Sequence, residues 1–176
     1  MIIVSDTTPL SELAKVGQLN LLRDIFGKVI IPQEVYNEVT TGTHPAVNLV
    51  KSADWIEIIA VRNFKQLSNL KKATNLGAGE CAAMILAEEL ASDQLLMDDL
   101  DARRVALSRN LKIIGTIGIL LVAKQQGLIP AIKDVLDSLI AEGKHISSRL
   151  YQEALLAAQE SGAFTTNFSF IVAQMP

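Results

Sequence analysis

Short apolar runs alternate along this chain with longer stretches whose apolar residues recur every three to four positions, and that alternation predicts a fold class. Ile2–Val4 reads as a buried strand, and helical patterning follows over Leu10–Lys15 and Leu19–Phe26. Thr8 is placed to cap the first helix, with Pro9 in the first turn, where its fixed φ and missing N–H suit the position. Lys28–Ile31 predicts a second strand, and Pro32 opens a helix reaching about Thr40. After a turn over Gly42–Pro45 come a short helix at Ala46–Lys51 and a strand-like alternation at Trp55–Val61. Leu76–Gly79 reads as a loop, and Glu80–Ala91 as a helix with Ala82, Ile85, Leu86 and Leu90 inward. Leu95–Met97 predicts a strand, Ala102–Arg109 a helix, Ile113-Ile114 a strand and Ile117–Gln126 a helix.

This βαβ series implies an α/β fold with a mainly parallel central sheet and right-handed crossovers. Past Gly127 the pattern changes. Ala131–Ala141 and Ser147–Ala158 read as an α-hairpin around Glu142-Gly143-Lys144-His145, followed by an apolar tail with Phe164, Phe168 and Phe170. The expected layout is an α/β domain over 1–128 and a helical extension of the same domain over 129–176.

Composition narrows the class. Hydrophobic residues make up 49% of the 176 and charged residues 20%, so a globular core is expected. A mean hydropathy of +0.31 fits strands buried on both faces and a homodimer interface. The longest apolar run, Ile117–Ala123, is interrupted by Gly118 and falls far short of the ~20 residues of a membrane span. With no basic, signal-like N-terminus, a cytoplasmic protein without membrane contact is expected. Cys81 is alone, which excludes an intrachain disulfide and a cysteine zinc site. Net charge is −3, so no basic face announces nucleic acid; the bases are local, at Arg62, Lys65, Lys71 and Lys72 and at Arg103, Arg104, Arg109 and Lys112.

The acids change the picture most. Asp6 stands where the first strand ends, and Asp98 where the Leu95–Met97 strand ends. In an open α/β sheet, ligands bind outside the carboxyl ends of strands where the strand order reverses. Glu38 lies on the helix opened by Pro32, with Glu34 one turn earlier; Glu80 opens the next helix, and Asp99 and Asp101 follow Asp98. Each has a plain alternative as a helix cap, a dipole partner or a solvated group. Gathered at one sheet edge, however, such carboxylates repel unless a cation sits among them. An all-oxygen set suits Mg²⁺ or Mn²⁺, which activates water and neutralises a phosphodiester. Gly77-Ala78-Gly79 is neither a P-loop nor a dinucleotide fingerprint, and no nucleophile elbow is present. His44 and His145 read as solvated, Cys81 as a helix-packing residue and Trp55 as a core or sheet-face aromatic. A receiver-like phosphoacceptor is disfavoured because Ile113-Ile114 brings no base.

Five stretches, in order over about residues 2–130, carry a family resemblance. They are Val-Ser-Asp-Thr-Thr-Pro-Leu around Asp6, Ile-Pro-Gln-Glu-Val-Tyr-Asn-Glu-Val around Glu38, and Leu-Gly-Ala-Gly-Glu around Glu80. Leu-Leu-Met-Asp-Asp-Leu-Asp-Ala-Arg around Asp98 and Gly-Thr-Ile-Gly-Ile-Leu-Leu-Val-Ala-Lys after it complete the set. The chain thereby resembles the PIN-domain family of metal-dependent ribonucleases, in particular a prokaryotic subfamily catalogued as a domain of unknown function and related to the VapC toxins. The resemblance implies a three-layer α/β/α fold and Mg²⁺- or Mn²⁺-dependent cleavage of single-stranded RNA. It makes Asp6, Glu38, Glu80 and Asp98 the acidic quartet, with Asp99 or Asp101 as alternative ligands and Thr7 as a nearby hydroxyl; Thr7 and the local bases Arg103 and Arg104 are the candidate substrate contacts. It also implies a toxin with an antitoxin protein as partner; the alternative is a non-catalytic module that binds RNA or a partner protein. Two positions depart from the toxins: Glu80 stands where Asp is common, and Met97 precedes Asp98-Asp99 without the usual hydroxyl.

Overall fold

A computed structural model describes residues 1–160; the apolar tail expected at 164–176 lies outside them. Five parallel strands form one sheet: β1 (Ile3–Ser5), β2 (Val29–Ile31), β3 (Ile56–Ile58), β4 (Gln94–Leu96) and β5 (Ile113–Ile114), in the order β3-β2-β1-β4-β5. The chain builds outward from β1 to β2 and β3, then crosses back to lay β4 on the other side of β1. The strand order therefore reverses between β1 and β4, which pair in register from Ile3↔Gln94 to Ser5↔Leu96. Asp6 continues that ladder, its N–H donating to the Leu96 carbonyl at 2.9 Å.

Successive strand residues point to opposite faces, and in β1 all three are buried. Leu95, Leu96 and Met97 are likewise fully buried, so helices cover both faces. The helices are α1 (Thr7–Lys15), α2 (Asn20–Phe26), α3 (Gln33–Val39), α4 (Ala46–Ser52), α5 (Phe64–Ala73), α6 (Ala78–Glu89), α7 (Leu100–Ser108), α8 (Thr116–Gln125), α9 (Lys133–Ala141) and α10 (Ser148–Ala157). One group packs α3, α5 and α6 together; another packs α2 and α10 on α8; α1 touches both. Cys81 through Ala87 on α6 are all fully buried, as are Ile119 and Leu120 on α8. These helices are apolar nearly all round because they lie inside the molecule. Cys81 and Trp55 are core residues, as expected.

Several local expectations are corrected. Thr8 does not cap α1; the helix begins at Thr7 and Asp6 holds the cap position. Ala78 and Gly79 belong to α6, since the first turn of a helix tolerates glycine where the backbone has an outside partner. The strand expected over Trp55–Val61 is ordered as β3 only at Ile56–Ile58, a sheet edge. Helix α5 was masked by its polar sequence; Leu67 and Leu70 are its only buried residues. The predicted α-hairpin forms as α9 and α10. Among the described residues, no helix is long and apolar enough to cross a membrane.

Candidate active site

The crevice beyond β1 and β4 collects the acids. Asp6 is 1% exposed and sits at the α1 cap position, yet its side chain makes no cap hydrogen bond. Among the described residues, neither of its carboxylate oxygens has a hydrogen-bond partner. Burial pushes the carboxyl up to about 7, and the charges of Glu80, Glu38 and Asp98 push the same way. The Thr7 amide offsets part of this rise without forming a hydrogen bond to either oxygen. A capping Asp would accept an amide of the first turn; Asp6 accepts none.

The neighbouring acids are held differently. Glu38, near the end of α3, accepts the Thr7 hydroxyl on Oε2 at 2.6 Å and the Gly79 N–H on Oε1 at 2.9 Å. The second bond explains Gly79, because a Cβ there would lie 2.5 Å from Glu38 Oε2. Glu80 reaches back from the first turn of α6 to accept the Gly77 N–H at 2.7 Å, one half of a capping box. Burial raises its carboxyl above the ordinary range; the Gly77 bond opposes that, and Asp99, Glu38 and Asp101 add to it. So the capping reading of Glu80 holds alongside its place in the cluster.

Asp98 is the most heavily engaged. Its Oδ1 accepts the Thr116 N–H at 2.6 Å, and its Oδ2 accepts the Thr116 hydroxyl at 2.6 Å and the Lys144 ammonium at 2.8 Å. Thr116 opens α8 and is fully buried, so Asp98 also rests on the positive end of that helix. Gly115 leaves room for this, since a Cβ there would stand 2.8 Å from both Asp98 Oδ1 and Arg103 Nη1. Asp99 caps α7 by accepting the Ala102 N–H at 2.8 Å, and Asp101 pairs on the surface with Arg104 at 2.8 Å. The charge of Asp98 thus bears on Asp6, whereas Asp99 and Asp101 line one pocket with Glu80 and their charges bear on it.

Arg103 is 5% exposed and donates to the Met97 carbonyl at 2.9 Å, bracing the end of β4. Of the two expected substrate arginines, Arg104 is thus the exposed one, while Arg103 is turned inward beside Asp98. Thr116 and Lys144 went unassigned in the sequence. Thr116 lay in view within Gly-Thr-Ile-Gly, where an exchanged hydroxyl partner for Asp98 was legible in principle. Lys144 carried no signal, being 46 residues from Asp98.

The profile of a family described as PIN domain, DUF3368, matches residues 2–160, and the chain belongs to that family. Its fold is nuclease-type, with the α-hairpin inside the matched region. No curated protein and no solved structure matches the chain.

Proposed function

We propose that this chain is a Mg²⁺- or Mn²⁺-dependent endoribonuclease that hydrolyses phosphodiester bonds of single-stranded RNA. The observation that supports it is Asp6: a buried carboxylate with two unpartnered oxygens, at the strand-order reversal, faced by three other acids. An oxygen-only donor set of this kind fits a hard divalent cation. Among the described residues no three acids already converge as ligands, so the fit rests on Asp6, with Glu80 and Glu38 as the further donors whose charges bear on it most. A bound ion supplies Lewis-acid charge at the phosphodiester and a more acidic water.

The side chains have separate tasks on this reading. Asp6 enters as the ionised ligand. Glu38, tied to Thr7 and Gly79, keeps α1, α3 and α6 in register around the crevice. Glu80, raised above its ordinary range and half-buried, is suited to take the proton of a water attacking phosphorus. Arg104 stands exposed for the backbone of the RNA. The homodimer and an antitoxin partner belong to the same proposal.

The test is cleavage of end-labelled single-stranded RNA by the purified chain with Mn²⁺. The expected result is metal-dependent cleavage that Asp6→Asn abolishes; wild-type rates in that variant overturn the assignment. The spread of the acids favours one second reading, a PIN module that binds RNA or a partner protein without catalysis. On that reading calorimetry with Mg²⁺ and Mn²⁺ records no binding that depends on Asp6.

A further inference from the structure

The charges around this crevice are lopsided. On one side, Asp98 receives the Lys144 ammonium at 2.8 Å, two donors from Thr116 and the N-terminus of α8, with the Arg103 guanidinium adjacent. On the other side, among the described residues, Asp6 has no partner, Glu80 has only the neutral Gly77 amide and Glu38 only a hydroxyl and an amide. The Asp98–Lys144 pair is well shielded, its side chains 14% and 16% exposed, so water screens it weakly. Lys144 comes from the turn between α9 and α10, which carries it over the crevice from outside the strand-helix series. The resulting ion pair joins that hairpin to the end of β4.

We propose that Lys144 is a positioning residue that takes the place of a second cation: the site binds one divalent ion, on the Asp6 side, and the lysine ammonium supplies the fixed positive charge on the Asp98 side. The inference rests on the metal-dependent reading above and deepens it. Asp98 spends at least three of its roughly four acceptor sites on protein donors, and the Arg103 guanidinium lies beside it. A second ion at Oδ2 would have to displace the ammonium, and two cations about 4 Å apart repel strongly where water is scarce. A tethered ammonium is already in position and cannot diffuse away. It also cannot act as a Lewis acid, so on this reading all water activation falls to the Asp6 side.

Calorimetry with Mn²⁺ on the full chain decides it. The wild type is expected to bind one ion per chain, Lys144→Arg one, and Lys144→Met two, the second lost again when Asp98→Asn is added. Methionine matches the lysine stem in length and fills the same partly buried channel, and melting curves check that the variants fold. Two ions in the wild type overturn the proposal without any variant, and so does an unchanged single-ion isotherm in Lys144→Met. If the wild type binds no Mn²⁺ at all, the metal-dependent reading falls with it, an outcome distinct from either of those.

Discussion

Glu38 and Gly79, 41 residues apart, touch so closely that the glycine N–H donates to one carboxylate oxygen at 2.9 Å while a methyl on the glycine would meet the other at 2.5 Å. The contact ties the end of α3 to the first turn of α6, two helices that pack against each other. Gly79 is not needed for an unusual φ; it is needed for space. Gly79→Ala is expected to push the Glu38 carboxylate, the end of an exposed side chain, off both the Gly79 amide and Thr7, costing about 0.5–1.5 kcal/mol for the lost hydrogen bonding. A fall in melting temperature together with lost RNA cleavage is the expected pair of results. A variant as stable as wild type means the helices separate freely and the contact is slack.

Asp6 predicts an unusual pH dependence of stability in metal-free buffer. Its carboxyl is raised from the ordinary 3.8 to about 7 in the folded protein. The folded state therefore holds the proton more tightly than the unfolded chain. Its stabilising contribution is complete below about pH 4 and is lost as pH rises toward 7. The full loss is on the order of 4 kcal/mol. Asp6→Asn, always neutral, should remove that slope and be more stable than wild type at pH 7.5. Thermal melts from pH 4 to 8 with a chelator present check the sign. A wild type that gains stability relative to Asp6→Asn over that range contradicts it.

The fold was largely legible because buried strands announce themselves: Leu95-Leu96-Met97 has no polar member, and the structure pairs this strand with β1. Asp6 was legible for the same reason, being the first polar side chain after a strand apart from small Ser5. The errors have a common cause, which is that tertiary partners replace local signals. Ala78 and Gly79 read as loop because the carboxylate that holds the Gly79 amide comes from α3 rather than from the neighbouring sequence. Helix α5 offered too few apolar positions for its period to show. The role of Asp98 was the least visible, because two of its three donor groups come from Thr116 and the third from a turn far along the chain.

Thr116 tests whether the Asp98 geometry needs a side-chain hydroxyl. Its Oγ1 donates at 2.6 Å to a carboxylate, and the residue is fully buried. Thr116→Val keeps the shape and the backbone N–H but faces Asp98 Oδ2 with a methyl. The cost is expected at about 1.5–3 kcal/mol, the range for hydrogen bonds to charged groups. Thr116→Ser keeps the donor and should recover most of it. Chemical denaturation of the three proteins makes the comparison, and equal stability of Val and wild type would mean the amide and Lys144 suffice.

Glu160 should matter to the crevice from the far end of the α-hairpin. Its carboxylate accepts the Ile132 N–H at 2.6 Å and the Lys133 N–H at 2.9 Å, and pairs with Lys124 at 2.7 Å. It thereby caps α9, which has no capping side chain of its own, and ties that helix to the end of α8. Burial pushes the carboxyl up, but the Lys124 ammonium and the two amides outweigh it and hold it below its ordinary 4.5. A depressed carboxyl contributes stability that is present above the unfolded value and is lost as pH falls below about 4.5. Glu160→Gln keeps one acceptor and loses the charge, so a destabilisation of roughly 1–2 kcal/mol at pH 7 is expected, narrowing as the pH drops. Because α9 leads directly into the turn bearing Lys144, the same variant should speed amide hydrogen exchange at Ile132 and Lys133 and loosen the Lys144–Asp98 pair. Unchanged exchange at both amides would show that the hairpin is anchored elsewhere.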